Sequence, residues 1–445
     1  MTISIERLRS ALAMQRVDDA VRILLELHPA DQAEAFNDLS EEERDLLLSL
    51  LGIAETADLF EEMEDEEVLD AVEDFTTERL ADVLDEMEPD EAADLLGDLP
   101  LAQASEALAQ MEDADEVIPL LGYPDETAGG LMTTSYIALR RHTTADQAIH
   151  FLRQISPDTD VPYYLYVVDR EQHLIGVVGL RDLVITSPEM LIESIMNPEV
   201  IHVDIAADQE EVARVMTRYD LSAVPVVNEQ HRLMGVITYD DIVDVLQEEA
   251  TEDIYRLGNV TDSDLEPESP VSEHLRGRLP WLYLNTLTAL FASWVITNFE
   301  TLIGEVAILA AFQSVVAGLG GNSATQNVVM IVRSMALGKL STKQLWPILG
   351  RQVFVGFIQG LAVGTVVGIG VSIWRGNPFL GLVLGLAMIG NMVVAGIIGT
   401  LVPFGLTASG RDPALASSVL VTAATDSAGF FIFLSLATLF LSYID

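Results

Sequence analysis

The 445-residue chain contains no cysteine, which excludes disulfides and thiolate metal sites. Lysine is almost as scarce. Lys339 and Lys343 are the only two, and the first 275 residues set 15 Arg and no Lys against 65 Asp and Glu. Such an excess of negative charge removes nucleic acid from the expected partners. The chain also lacks a Walker motif, a nucleophile with its base and a His-rich metal motif, so no enzymatic activity is expected. At the N-terminus there is no basic region leading into an apolar stretch and a small-residue cleavage site. No cleavable signal is therefore expected, and the acidic portion should start and stay in the cytoplasm.

What is present is sharply segregated. Residues 276–445 carry five acids against eight basic residues, together with the long apolar runs, so an acidic water-facing half precedes a membrane half. Most of the acids read as solvated helix faces, of the kind suited to concentrated intracellular salt. Those in repeated, clustered positions carry more information.

Residues 1–125 show apolar spacings of three and four with almost no alternation, which predicts helix throughout. Leu39, Met63, Met87 and Met111 head similar segments at a period of 24, implying short helix pairs stacked into a superhelix. A second repeat follows. The segment 168-VDREQHLIGVVGLRDLV-184 aligns without gaps on 227-VNEQHRLMGVITYDDIV-243, an offset of 59 that superposes Gly176 on Gly235 and Asp182 on Asp241. Each copy is expected to open with a Met-containing helix start, LMTTSYIAL or IMNPEVIHV, then a helix, two short β-branched strands and an acidic helix. This duplicated α/β unit resembles tandem cystathionine-β-synthase (CBS) domains. Between Gln247 and Leu279 an amphipathic helix is expected to lead into the first membrane span, in a position suited to coupling.

Five spans are expected at about 279–297, 303–333, 347–373, 379–403 and 414–442. Arg276, Arg278, Arg333, Lys339, Lys343 and Arg411 fall on one side, which the positive-inside rule makes cytoplasmic, with the C-terminus outside. Span two contains GLGG followed by Asn322, Thr325 and Gln326; span four contains Asn391 and Pro403, and Asp412-Pro413 is a capping pattern before span five. Asp426 lies inside span five. A carboxylate at such depth costs at least about 2.5 kcal/mol unless compensated. No basic residue of any span is at comparable depth, so water and a permeating cation are its expected partners. The oxygens of Asn322, Thr325, Gln326, Thr422 and Thr425 would complete an oxygen-lined site, and one carboxylate with neutral oxygens suits Mg²⁺.

With GGNSATQ in span two and GRDPALASSVLVTAATDSAGF leading into span five, nearly the whole chain resembles the MgtE family of magnesium channels and transporters. The resemblance implies a multidomain membrane protein: an all-α N-terminal superhelix (1–126), α/β tandem CBS domains (127–250), a connecting helix (251–278) and a five-helix transmembrane domain (279–445). It implies a homodimer in the cell membrane with a cation pathway at the subunit interface and Asp426 as its Mg²⁺-binding carboxylate. It further implies closure by cytoplasmic Mg²⁺ held among Asp58, Asp90 and Asp94, Glu210, Asp220, Asp241 and Asp244, and Glu249, Glu252 and Asp253. Asp90 and Asp94, like Glu249 and Asp253, also stand at i, i+4, where like charges repel unless an ion intervenes. Tyr164, Arg181 and Asp182 are the candidate ATP contacts of the CBS pair. One departure is visible: Gln313-Ser314 stands where family members usually place a proline before the span-two glycines. Two other readings remain open, a pathway for Na⁺, Co²⁺ or Mn²⁺ and a membrane-anchored nucleotide sensor.

Overall fold

The 24-residue period of the sequence reappears as a period in helix starts. In this computed structural model, which describes residues 2–444 apart from 15, 64, 74, 156–163, 262–264, 266, 268 and 416, helices begin at Glu41, Asp65 and Pro89 and, between them, at Ile53, Thr77 and Leu101. Leu39, Met63, Met87 and Met111 are all buried, each repeat adding one large apolar side chain to a continuous core. Local signals set the helix ends. Ser40 and Glu43 form a capping box, Thr76 accepts a hydrogen bond from the Arg79 amide, and Pro29 and Pro89 occupy first-turn positions.

The duplicated segment folds into two three-stranded sheets. In one, β1 (Ala138–Arg140) runs parallel to β2 (Tyr164–Val168), which pairs antiparallel with β3 (Leu174–Gly179); in the other, β4 (Val203–Asp204), β5 (Ala223–Val227) and β6 (Leu233–Thr238) repeat the order. Both hairpins match at the 59-residue offset, including the irregularity at Val167/Val168 and Val226/Val227. The Met-containing segments are not the helix starts expected of them. Neither forms an α-helix, because each crosses to the other copy: Met132 fills the space over Gly235 and Met196 that over Gly176, while Thr133 pairs with Val236 and Asn197 with Val177. A Cβ on either glycine would lie under 3 Å from a methionine side-chain atom. Tyr166, Val168 and Leu174 meet Ala223, Val227 and Val236 in one cluster joining the sheets.

The chain divides into two compact units, residues 1–245 and 246–445. The first has a core running from Leu8 through the superhelix to Val212, Met216 and Ile237 of the second α/β copy. The helix Tyr239–Leu257 carries the chain into the second unit. The connecting segment is therefore not one helix: its first part extends the last CBS helix, its last part belongs to the helix Val271–Thr297, and 262–264, 266 and 268 lie outside the described residues.

Among the described residues five helices are long and apolar enough to cross a membrane, hereafter spans one to five: Val271–Thr297, Ile308–Ala336, Leu345–Arg375, Pro378–Ala408 and Ser417–Leu439. Span two starts later than expected because the chain breaks at Val306 after the short helix Glu300–Glu305. It then runs unbroken through Gln313-Ser314. Spans three and four approach backbone to backbone along Gly356, Gly360, Gly364 and Gly368; a Cβ on Gly364 would stand 2.6 Å from the Gly385 carbonyl oxygen.

Candidate ion pathway and cation-binding acids

Span five places Asp426 half-buried, and among the described residues no ion pair or hydrogen bond joins its carboxylate to another side chain. One turn onward, Gly429 abuts Asn391 of span four, and so does Gly320 of span two: a Cβ would stand 2.7 and 2.0 Å from Asn391 Nδ2 respectively. Asn391 is fully buried, donates to the Val316 carbonyl at 2.8 Å and leaves its Oδ1 without a partner. A second buried amide, Asn327, donates to the Gly396 carbonyl at 3.2 Å and to Thr400 Oγ1 at 3.1 Å. These contacts lock spans two, four and five in one register around the helix that carries Asp426. Asn327 and Thr400 were not singled out from the sequence; the signal available was a polar side chain inside an apolar helix.

Asn322, Thr325 and Gln326 occupy an exposed stripe of span two at i, i+3 and i+4. Thr422 is half-buried. Thr425 is fully buried, its hydroxyl donating to the Val421 carbonyl at 3.0 Å and the Thr422 carbonyl at 3.1 Å. A threonine hydroxyl bonded back into its own helix has no proton left for a cavity, although its oxygen keeps a lone pair.

The acids outside the spans divide into gathered and dispersed groups. Asp90 is buried in the superhelix, with an Oδ1 that has no hydrogen-bond partner. Its carboxyl is held well above the usual carboxylate range, by burial first and then by the facing Asp241 and by Glu88. Asp241 is raised too, chiefly by burial, although its Oδ2 accepts from the Thr238 amide at 3.1 Å and hydroxyl at 2.8 Å. Asp94 lies half-buried one turn beyond Asp90. Asp90, raised by burial and by Asp241, and Asp241, raised by burial and by Asp240, form an arrangement that a divalent cation relieves. By contrast Asp58, Glu210, Asp220 and Asp244 are exposed, and Asp220 is the left-handed C-cap of the helix Gln209–Tyr219.

In the second unit Glu249, Glu252 and Asp253 are half-buried on consecutive turns of the helix Tyr239–Leu257. Arg256 bonds both Glu252 and Asp412, which sits on the loop leading into span five. Asp253 is pushed up to about 6, by burial and then by Asp412 and Glu249, with Arg333 opposing. Asp412 does not cap span five as expected: its Oδ1 accepts from the Ala414 amide at 2.7 Å within the loop, and the helix starts only at Ser417. Of the candidate nucleotide contacts, Tyr164 pairs with Gly179 across the first hairpin, and Arg181 and Asp182 are exposed on the helix that Gly179 caps, so the three share one end of that sheet.

Family models match three parts of the chain. The MgtE divalent cation transporter model matches residues 313–436, the MgtE intracellular N domain 27–126 and the CBS domain 128–188 and 192–248. The magnesium transporter MgtE of Thermus thermophilus is 39% identical over 328 residues, covering 73% of this chain and 72% of the relative; that of Enterococcus faecalis is 36% identical over 332 residues, covering 75% and 73%. Among solved structures, the soluble part of a magnesium transporter aligns with a TM-score of 0.52 and 37% identity over 56% of this chain and 99% of that one. The cytosolic domain of the Mg²⁺ channel MgtE in complex with ATP aligns with the same TM-score at 36% identity, over 54% and 99%.

Proposed function

Because the chain belongs to the MgtE family of divalent cation transporters, we propose that it conducts Mg²⁺ across the cell membrane, with Asp426 as the carboxylate that attracts the ion. The observation that carries this reading is an intramembrane acid with no counter-charge among the described residues, clamped in register by Asn391, Gly320 and Gly429. Mg²⁺ dehydrates reluctantly and keeps several waters, so one carboxylate with a few neutral oxygens is enough to select and pass it. The exposed stripe of Asn322, Thr325 and Gln326 supplies such oxygens where two copies of the chain meet, which makes the pathway that of a homodimer. The acidic half then faces the cytoplasm and the C-terminus the outside.

Closure follows from the raised carboxyls. At high internal Mg²⁺ an ion shared by Asp90 and Asp241, and others near Glu249, Glu252 and Asp253, neutralise charges that otherwise repel. The effect reaches the pathway through the helix Tyr239–Leu257, the Arg256–Asp412 bond and span five. ATP is a second ligand, held at Tyr164, Arg181 and Asp182 of the CBS pair; the ATP complex of the related cytosolic domain supports this.

The test is ion flux in proteoliposomes holding the full chain, with Mg²⁺, Na⁺, Ca²⁺, Mn²⁺ and Co²⁺ compared. Mg²⁺ entry that is suppressed by Mg²⁺ loaded on the cytoplasmic side is the expected result. Flux of Na⁺ alone would assign a different cargo, and no flux of any ion would leave the spans as an anchor.

A further inference from the structure

Three of the chain's seven histidines come from separate segments of the CBS pair: His202 and His231 meet ring to ring, and His173 lies in the turn paired with that of His231. The two hairpin turns pair reciprocally: the Leu174 amide donates to the His231 carbonyl at 3.1 Å and the Leu233 amide to the Gln172 carbonyl at 3.0 Å. Gln172 and His231, equivalent at the 59-residue offset, are the left-handed corners of the turns, with φ of 67° and 62°. This puts the β2–β3 turn beside His231, whose ring meets that of His202 edge to face at 4.6 Å.

Within the β2–β3 turn, one ligand atom each of Asp169, Glu171 and His173 lies within 4.8 Å of the others, and His173 Nδ1 stands 3.0 Å from Asp169 Oδ2. Ligand bonds of about 2.0–2.1 Å to a tetrahedral zinc put neighbouring ligands about 3.3 Å apart, so little movement is needed to replace the proton between this pair with a metal. Asp169 Oδ1 accepts from the amides of Glu171 at 3.0 Å and His173 at 2.9 Å, which fixes the carboxylate. His202 Nδ1 lies 3.1 Å from the Val200 carbonyl, and donation there leaves its Nε2 as the free lone pair.

We propose that this patch binds a divalent transition metal of the zinc class, through Asp169, Glu171 and His173 with an imidazole of the His231–His202 pair as fourth ligand. Imidazole suits Zn²⁺ and Co²⁺, whereas Mg²⁺ takes oxygen, so the site is chemically separate from the acids discussed above. Bound there, the ion ties the hairpin of one CBS copy to that of the other. Arg232, opposite His173 in the bridge between the turns, and Arg170, between Asp169 and Glu171, are positive groups that limit affinity.

The experiment is equilibrium dialysis of the full-length Asp426→Asn protein in detergent against Zn²⁺ or Co²⁺ with Mg²⁺ in excess, the background removing the intramembrane carboxylate. One Zn²⁺ per chain is expected to survive the Mg²⁺ excess, and Co²⁺ should give the visible absorption of a tetrahedral site. His173→Ala and Asp169→Asn should abolish retention, the double change His202→Gln/His231→Gln should weaken it at least tenfold, and Arg232→Gln should tighten it. His150→Ala, elsewhere on the same unit, should leave it unchanged. No ion retained in excess Mg²⁺, or equal retention by His173→Ala and Asp169→Asn proteins with unaltered circular dichroism, would overturn the assignment.

Discussion

Arg256 and Asp412 stand 156 residues apart in sequence and are joined by an ion pair that links the helix Tyr239–Leu257 to the loop entering span five. Because Arg256 also holds Glu252 on its own helix, any shift of that helix changes the position of Asp412. Arg256→Gln should therefore leave Mg²⁺ flux intact at low internal Mg²⁺ but raise the internal concentration needed for closure. A charge-assisted bond contributes about 1.5–3 kcal/mol, so a shift of about tenfold or more is expected. Flux recordings at graded internal Mg²⁺ measure it, and an unmoved closing concentration would exclude this bond from the coupling.

Asp426→Asn keeps the size of the side chain and removes the charge. Mg²⁺ flux should fall to background while the protein keeps its elution volume and thermal stability, since no ion pair or hydrogen bond to another side chain depends on that carboxylate among the described residues. Asn322→Ala and Gln326→Ala, on the exposed stripe of span two, should reduce flux or relax selectivity without abolishing either. Wild-type flux from the Asp426→Asn protein would dismiss the carboxylate as the site.

Glycine spacing between spans three and four gives a paired prediction. In Gly364→Ala the new methyl meets the Gly385 carbonyl oxygen at 2.6 Å, and backbone cannot rotate away, so the cost should be about 1–3 kcal/mol with a lower Tm. Gly370→Ala in the same helix meets nothing within 4 Å and should be silent or slightly stabilising. Equal Tm values for the two proteins would contradict the close packing of these spans.

The raised carboxyls predict pH dependence of a definite sign. Asp253, at about 6 in the folded protein against an ordinary value of 3.8, is favoured there in its protonated form. Its contribution is fully present below the ordinary value and is lost as pH rises from about 4 through about 6. Asp253→Asn should therefore flatten the Tm profile over that window and exceed the wild type above it. A parallel loss of Tm with rising pH in both proteins would place the titration elsewhere.

Asp90 and Asp241 give the ion-specific counterpart. A cation bound between them displaces protons, so Mg²⁺ protection of residues 1–245 from protease should tighten as pH rises. Protection must exceed that of NaCl at matched ionic strength, where screening acts over about 8 Å. Asp90→Asn/Asp241→Asn should abolish the difference between the salts and leave the channel conductive at internal Mg²⁺ that closes the wild type. If NaCl protects equally well, these carboxyls serve only as surface charge.

Sequence by itself determined the periodic and the compositional parts of this protein. The 24-residue period fixed where the superhelix turns, since Leu39, Met63, Met87 and Met111 each bury one apolar side chain at the same phase. The 59-residue offset made the two hairpins equivalent residue for residue, and apolar length gave the number of spans and exposed Asp426 as anomalous. Tertiary structure decided what periodicity does not encode: which partner a segment chooses. Met132 and Met196 read as helix starts but cross to the glycine of the other copy, because Gly235 and Gly176 leave a space that only a foreign side chain fills. The many acids were indistinguishable by composition until folding brought Asp90 against Asp241 in low dielectric and left Asp58 and Asp244 in water. His173, His202 and His231 formed no motif along the chain, since their proximity is created by two turns that exchange hydrogen bonds only once both hairpins exist.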